Sequence, residues 1–467
     1  MTECRQQKFE FQDHFGRKVE ADFTGGHLSS DGGALLLREA GKAAGVIRQL
    51  SKCFRDGRDQ RYVEHGLEEL IGQRVHSLIL GYEDLNDADS LRHDPVLSLL
   101  SGREDVEGGR RSHEADRGKG LAGSSTLNRL ELGSLGLDAR YRKIGSDAGR
   151  IEATLIEQGV KMIPRRTRDI VLDFDATDDP LHGSQEGAFF HGYYRNYCYL
   201  PLYCFCGNIP LLAQLRDCKR DASDGTVEAL EKIVPAIRRR FGRKVRIIVR
   251  ADSGFAREPI MSWCEKNGID YCLGLARNAR LAGQLEAAFG ELHAVIEAGE
   301  ASVPLRLFED FQYRTLDSWS RKRRVVGKAE LLAKGDNPRF VVTSIGKSWM
   351  DAASLYEGFY CARGEMENRI KEQQLGLFAD RTSTHGMASN QLRLWFSAFA
   401  HLITAHLQAD LLRGTELARA SIGTIRLKLF KIAARVKLSC RRIHLELPSA
   451  YPYRHIFAQA WANTRSP

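Results

Sequence analysis

Between residues 168 and 276 the chain changes period four times, and this alternation restricts its fold more than any other feature. "RDIVLDFDAT", "YLPLYCFCG" and "IPLLAQLRDC" are short apolar runs bounded by turn residues, and each is expected as a strand. "DGTVEALEKIVPAIRRRFG" then has helical spacing, "KVRIIVRAD" is a buried strand, "REPIMSWCEKNG" a helix ending at glycine, and "IDYCLGLA" another strand. The order β-β-β-α-β-α-β predicts an α/β fold in which a mixed sheet carries helices on its faces.

The flanking regions divide the remainder. Residues 1–135 mix short apolar runs with turn signals. Within them, Ser30 or Asp31 is placed to cap a helix through "GALLLREAGKAAG", and "VEHGLEELIGQRVHSLILGY" reads as an amphipathic helix. The polar, glycine-rich "SGREDVEGGRRSHEADRGKGLAG" is a loop, and "SSTLNRLELG" after it has the form of a short DNA-reading helix, although capping explains its serines and threonine equally well. Residues 136–275 form the first part of the α/β domain. Residues 276–348 follow as a β-rich insertion containing "VPLRLFEDFQYRTL", "RKRRVVGKAELLA" and "PRFVVTSI". Residues 349–412 complete the domain with two helices, the second being "NQLRLWFSAFAHLITAHLQADLL". Residues 413–467 form a basic tail, with nine Lys and Arg between Arg413 and Arg442 and almost no acid.

Charge and cysteine content set the context. With 69 Lys and Arg against 60 Asp and Glu, the net charge of +9 favours a polyanionic partner. No apolar run reaches the ~18 residues of a membrane span and the N-terminus lacks a secretory pattern, so a cytoplasmic protein without membrane contact is expected. The ten cysteines are scattered, with the single close pair Cys204 and Cys206 in an aromatic run, which suits reduced, mostly buried thiols.

Three carboxylates stand out against this background. Asp173 and Asp175 share one face of their strand, with Asp175 nearer its carboxyl end, and Asp252 ends the strand in "VRADSGF". Carboxyl ends of strands are where ligands and chemistry gather in α/β sheets, while turn formation is the plain alternative for either aspartate. In "YCARGEMENRIKEQQ", a uniform turn of about 100° per residue puts Tyr360, Arg363, Lys371 and Gln374 within about 40° of Glu367, leaving Glu365 and Glu372 on the far side. A ladder of i, i+4 ion pairs accounts for an isolated helix of this kind. Two aspartates and a glutamate also suffice as the protein's share of two Mg²⁺ ions, with Mn²⁺ as a substitute, and Arg363 and Lys371 suit flanking phosphates.

The triad Asp175, Asp252 and Glu367, with Tyr360, two residues, Arg363, three residues, Glu367, resembles the catalytic domain of DDE transposases of the tyrosine-arginine-glutamate-lysine branch. More narrowly, "LSSDGGALLL", "LILGYEDLNDADSLRHDP", "LDFDATDDPLHGSQEGAFFHGYY", "RADSGF" and "RGEMENRIKE" resemble the bacterial insertion-sequence family thirteen-eighty. The resemblance implies a ribonuclease-H-like mixed sheet interrupted by the β insertion, preceded by a mainly helical DNA-binding region and followed by the basic tail. It implies a transposase that binds the terminal inverted repeats of its element, cuts them with Mg²⁺ and joins them to target double-stranded DNA as a homodimer, in the bacterial cytoplasm at the nucleoid. Asp175, Asp252 and Glu367 would be the catalytic metal ligands and Tyr360, Arg363 and Lys371 DNA contacts. Trp319, at an expected hairpin tip, would stack a flipped base, with core or hairpin packing as the alternative. The signature's lysine position holds Gln374, which leaves Lys371 one turn earlier as its substitute, and Asp173 remains a rival to Asp175. An inactive DNA-binding relative and a nuclease that hydrolyses without joining are the other functions compatible with these residues.

Overall fold

The aspartate-bearing run folds as Asp169–Ala176 (β1), an interior strand of a nine-stranded mixed sheet. The computed structural model describes residues 8–135 and 143–465; residues 136–142, where the expected catalytic domain begins, lie outside them. On one side β1 pairs antiparallel with Leu202–Cys206 (β2), which pairs with Ile209–Gln214 (β3). On the other side lie Arg246–Ala251 (β4), parallel to β1, and Asp270–Leu275 (β5), parallel to β4. The order β3-β2-β1-β4-β5 follows from the predicted sequence of strands and helices, because each parallel step contains a helical crossover.

Residues 276–348 do not form a separate layer. Leu305–Tyr313 (β6), Arg323–Leu332 (β7) and Arg339–Thr343 (β8) extend the same sheet in the order β5-β8-β7-β6, every pair antiparallel. Two helices that the strand-like reading of this segment omitted precede them, Ala279–Gly283 and Glu286–Glu297. The second has Ala288, Phe289 and Leu292 at helical spacing, and all three are buried.

Alternation along β1 sorts the sheet's two faces. Ile170, Leu172 and Phe174 are fully buried in a core with Val249, Ala251 and Leu273, covered by the helices Ala148–Met162, Thr226–Phe241, Glu258–Lys266 and Glu286–Glu297. The opposite face carries a smaller apolar cluster of Ile248, Cys272, Val326, Val341, Leu355 and Tyr356. Asp173 and Asp175 alternate with the first set, so a one-residue slip of β1 would bury both carboxylates in the larger core.

These elements belong to a unit spanning Asp147–Leu402; a second unit combines Met1–Ser146 with Ile403–Pro467. In the latter, the expected amphipathic helix is Leu67–Leu80, but every residue from Leu70 to Leu80 is buried. Two of its polar side chains are satisfied internally: Arg74 pairs with fully buried Glu131 at 2.7 Å, and Gln73 exchanges hydrogen bonds with the Ala122 backbone. Glu131 ends the Ser124–Glu131 helix, whose Ser124 bonds to Asp89 through both its N–H and its hydroxyl.

Asp31 does not cap the following helix as expected. Its buried carboxylate instead takes Lys431 Nζ at 2.7 Å and the Tyr82 hydroxyl at 2.6 Å. Arg426 donates to the carbonyls of Leu78 and Ile79 in the last turn of the Leu67–Leu80 helix, where carbonyls run out of the regular helical donors. Part of the basic tail therefore serves internal structure; Arg435, Lys437 and Arg442, on the hairpin Ala434–Ser439 and Arg442–Glu446, remain exposed. Among the described residues, no helix is long and apolar enough to cross a membrane.

Candidate active site

The two aspartates of β1 have different partners. Register places Arg250 of β4 opposite Asp173. Its Nε and Nη2 donate to the two Asp173 oxygens at 2.5 and 2.9 Å, and its Nη1 donates to the Phe359 carbonyl at 2.5 Å. Asp173 is thus held in a buried, forked ion pair, although burial still pushes its pKa upward against the pull of Arg250. Asp175, two residues nearer the carboxyl end, instead faces Arg363, whose Nη1 lies 3.3 Å from Asp175 Oδ2.

Arg363 spans two carboxylates. Its Nη2 is 3.4 Å from Glu367 Oε1, so one planar guanidinium joins a strand aspartate to the helix glutamate. Burial pushes the Asp175 pKa up to about 7, with the charges of Asp252 and Glu367 adding to it and Arg363 opposing. The influence of Asp252 and Glu367 on Asp175 places the three acids in one electrostatic neighbourhood. Asp252 follows β4 and accepts the Gly254 N–H at 2.9 Å, so it also performs the turn-forming role that was its alternative.

The supporting helix is irregular. It runs as a π-helical segment Ser354–Tyr360, a 3₁₀ turn Cys361–Arg363, an α-helix Gly364–Lys371 and a second π segment Glu372–Gly376. Such insertions collect at functional sites, and they break the uniform 100° step assumed for the stripe. Met366 and Ile370 are buried and anchor the helix. Tyr360 is largely buried, with its pKa pushed up to about 12 by that burial. Its hydroxyl packs against Gly274 of β5, 2.5 Å from where a Cβ would stand.

The remaining candidates are dispersed. Lys371 is exposed. Gln374 donates to the Asp178 carbonyl at 3.0 Å, toward the loop that leaves β1. Trp319 is only 3% exposed and belongs to the core beneath the face opposite Asp175. It packs edge-on to Tyr313 at 5.8 Å and lies 5.5 Å from the Arg323 guanidinium. A base has no access to the ring in this packing.

Two residues with evident roles here, Arg250 and Gly274, were absent from the sequence candidates. Arg250 shares the aspartate face of "RIIVRA" with Arg246 and Ile248, and an arginine two residues before Asp252 at the end of an apolar run was the available signal for the first; nothing local distinguishes the second.

The donor set is chemically suited to hard divalent cations, since all three candidate side chains offer carboxylate oxygens and Asp175 carries a charge its surroundings disfavour. Among the described residues no cluster of three or more acidic, His or Cys side chains is drawn tightly enough to form a preassembled metal cage. Arg363 stands between Asp175 and Glu367 as their counter-ion.

The family model described as "Transposase DDE domain group 1" matches residues 11–466. Among solved structures, a piggyBac transposase synaptic complex with hairpin DNA, determined by cryo-electron microscopy, aligns at 10% identity and a TM-score of 0.36, covering 85% of this chain and 80% of that one. No curated protein matches.

Proposed function

Because the chain belongs to the DDE transposase domain group 1 family, we propose that it is an insertion-sequence transposase that cleaves the terminal repeats of its element and joins them to target DNA by phosphoryl transfer. The observation carrying this proposal is the convergence of Asp175 and Glu367 on Arg363, with Asp252 close enough to raise the Asp175 pKa. The sheet order β3-β2-β1-β4-β5, with β1, β4 and β5 parallel, supports a ribonuclease-H-like core. The motif matches favour family thirteen-eighty, and the net charge of +9 favours DNA as partner.

Asp175, Asp252 and Glu367 would hold divalent metal, Mg²⁺ or Mn²⁺. When bound, such ions supply Lewis acidity at the attacking and leaving oxygens of the phosphodiester. Arg363 has its charge reinforced: burial acts against it, but Asp175, Tyr360, Asp252 and Glu367 outweigh that cost and raise its pKa. It neutralises the acids in the free protein and offers a planar fork to a phosphate when the acids take metal. Asp173, committed to Arg250, positions the strand and the Phe359 segment; Asp175 is therefore the first metal ligand in this proposal. A homodimeric assembly on paired element ends, in the bacterial cytoplasm, completes the picture.

The test uses the purified protein, DNA flanking its own gene, and Mg²⁺, alongside Asp252→Asn. Cleavage and strand transfer by the wild type alone are expected. Equal cleavage by both proteins removes the mechanism, and cleavage without any joined product from the wild type points to a hydrolytic nuclease.

A further inference from the structure

Next to Asp252, where the parallel strands β4 and β5 end, the catalytic unit has a cavity of about 490 Å³. Ser253 and Gly274 line it from these strand ends, Arg277 from the segment leaving β5, Arg339 from the first position of β8, and Tyr356 and Tyr360 from the π-helical segment. No aspartate or glutamate lines it. Arg277 and Arg339 are both exposed, and Arg339 Nε donates to the neutral Asn337 side chain at 3.1 Å, which steadies the guanidinium without cancelling its charge. The volume falls within the ~300 to 1,000 Å³ range of small-molecule sites, the size class of a nucleotide.

Electrostatics give this cavity a direction. Asp175, Asp252 and Glu367 repel an approaching polyanion, whereas the two arginines of the cavity attract one, and the cavity's partition on the Asp252 side includes Ser253 and Gly274. Gly274 keeps that partition thin, since a side chain there would meet the Asp252–Ser253 backbone and the Tyr360 hydroxyl.

We propose that this cavity seats the nucleotide adjoining the scissile phosphate, with Arg277 and Arg339 on backbone phosphates of the strand leaving the carboxylates and Tyr356 and Tyr360 walling the sugar or base. The assignment rests on the transposase function proposed above and extends it to residues outside the signature. Guanidinium forks match phosphate oxygens, and aromatic walls tolerate any base, so the cavity orders the strand without reading its sequence.

The experiment measures binding of a fluorescent duplex taken from the DNA flanking the gene, between 50 and 200 mM salt, for wild type, Arg277→Ala, Arg339→Ala, the double variant and the double lysine variant. Cleavage is followed in parallel. Each alanine is expected to reduce the salt slope by about 0.7 to 0.9, one phosphate's worth of released counterions, with urea midpoints unchanged and with the lysines restoring the slope. A neutral methylphosphonate beside the cleavage site should weaken the wild type but have no added effect on the double variant. A double variant with the wild-type slope, or with undiminished sensitivity to the methylphosphonate, overturns the assignment. If the slopes fall as expected while the wild type cuts nothing, the cavity stands as a nucleic-acid site and the transposase function fails.

Discussion

Replacing Gly274 by alanine tests how closely the site is packed. The added Cβ would stand 2.5 Å from the Tyr360 hydroxyl, 2.8 Å from the Ser253 nitrogen and 3.1 Å from the Asp252 carbonyl carbon. The tyrosine tip can swing away; the backbone atoms cannot, and reaching ordinary contact at about 3.4 Å requires the Asp252–Ser253 peptide to retreat by roughly 0.6 Å. Overpacking of this kind costs about 1 to 3 kcal/mol. A displacement near 1 Å at a reacting centre lowers rate about 10²-fold, so a loss of roughly 10- to 100-fold in cleavage is expected while DNA affinity stays within about twofold. Gly274→Ala combined with Tyr360→Phe removes the first clash and leaves the second, so it should recover some stability without recovering cleavage. The assays are urea unfolding and single-turnover cleavage of a labelled duplex. Wild-type cleavage by Gly274→Ala would refute the claim that the β5 glycine sets the position of Asp252.

Further expectations concern the ion pairs and buried side chains. Asp175→Asn should abolish cleavage with little change in DNA binding, whereas Asp173→Asn should mainly reduce stability; the reverse in a cleavage assay would exchange their roles. Arg250→Met strands Asp173 and should cost about 3 to 5 kcal/mol by urea unfolding, most of it regained in Arg250→Met/Asp173→Leu. Trp319→Ala should cost about 3 to 5 kcal/mol, as for a large core aromatic, while retaining end cleavage at a temperature where it is folded; loss of cleavage in the folded variant would restore a base-stacking role. Burial pushes His76 down to about 4 and His65 and His401 to about 3. Because the folded state disfavours their protonation, stability is complete above the ordinary pKa of about 6.5 and falls as pH drops toward those values, by up to about 2 kcal/mol per histidine at pH 5. Asp175, raised to about 7, works in the opposite direction over this range, so the histidine contribution is read as the difference between wild type and His401→Gln; equal changes in the two urea midpoints between pH 7 and 5 contradict it.

The strands were legible because their side chains obey a simple period, and β1 shows why that was enough to put Asp173 and Asp175 on one face: once Ile170, Leu172 and Phe174 go inward, both aspartates must share the other. Choosing between them was not possible locally, since the choice depends on Arg250, 77 residues away in sequence and opposite Asp173 only after β4 is in register. The stripe on the Glu367 helix put Arg363 and Glu367 on one face, where the structure sets them 3.4 Å apart, but its uniform pitch holds only over Gly364–Lys371, which 3₁₀ and π segments flank. The helix Glu286–Glu297 was overlooked although its apolar spacing was present, because neighbouring alternating runs dominated that segment. Trp319 read as a tip residue because "DSWSRKRR" is polar around it; its burial comes from Tyr313 and the underlying core.

The pairing of Lys431 with Asp31 has a consequence for the order of events during synthesis. Asp31 leaves the ribosome some 400 residues before its cation, and Arg426 likewise arrives long after the carbonyls of Leu78 and Ile79. The Asp147–Leu402 unit is contiguous and can close as it emerges, whereas the other must wait with a half-built interior. A nascent chain halted before residue 422 would therefore carry a finished nine-stranded sheet and an unfinished second unit, the latter exposed to proteases and chaperones until translation supplies the missing lysine and arginine.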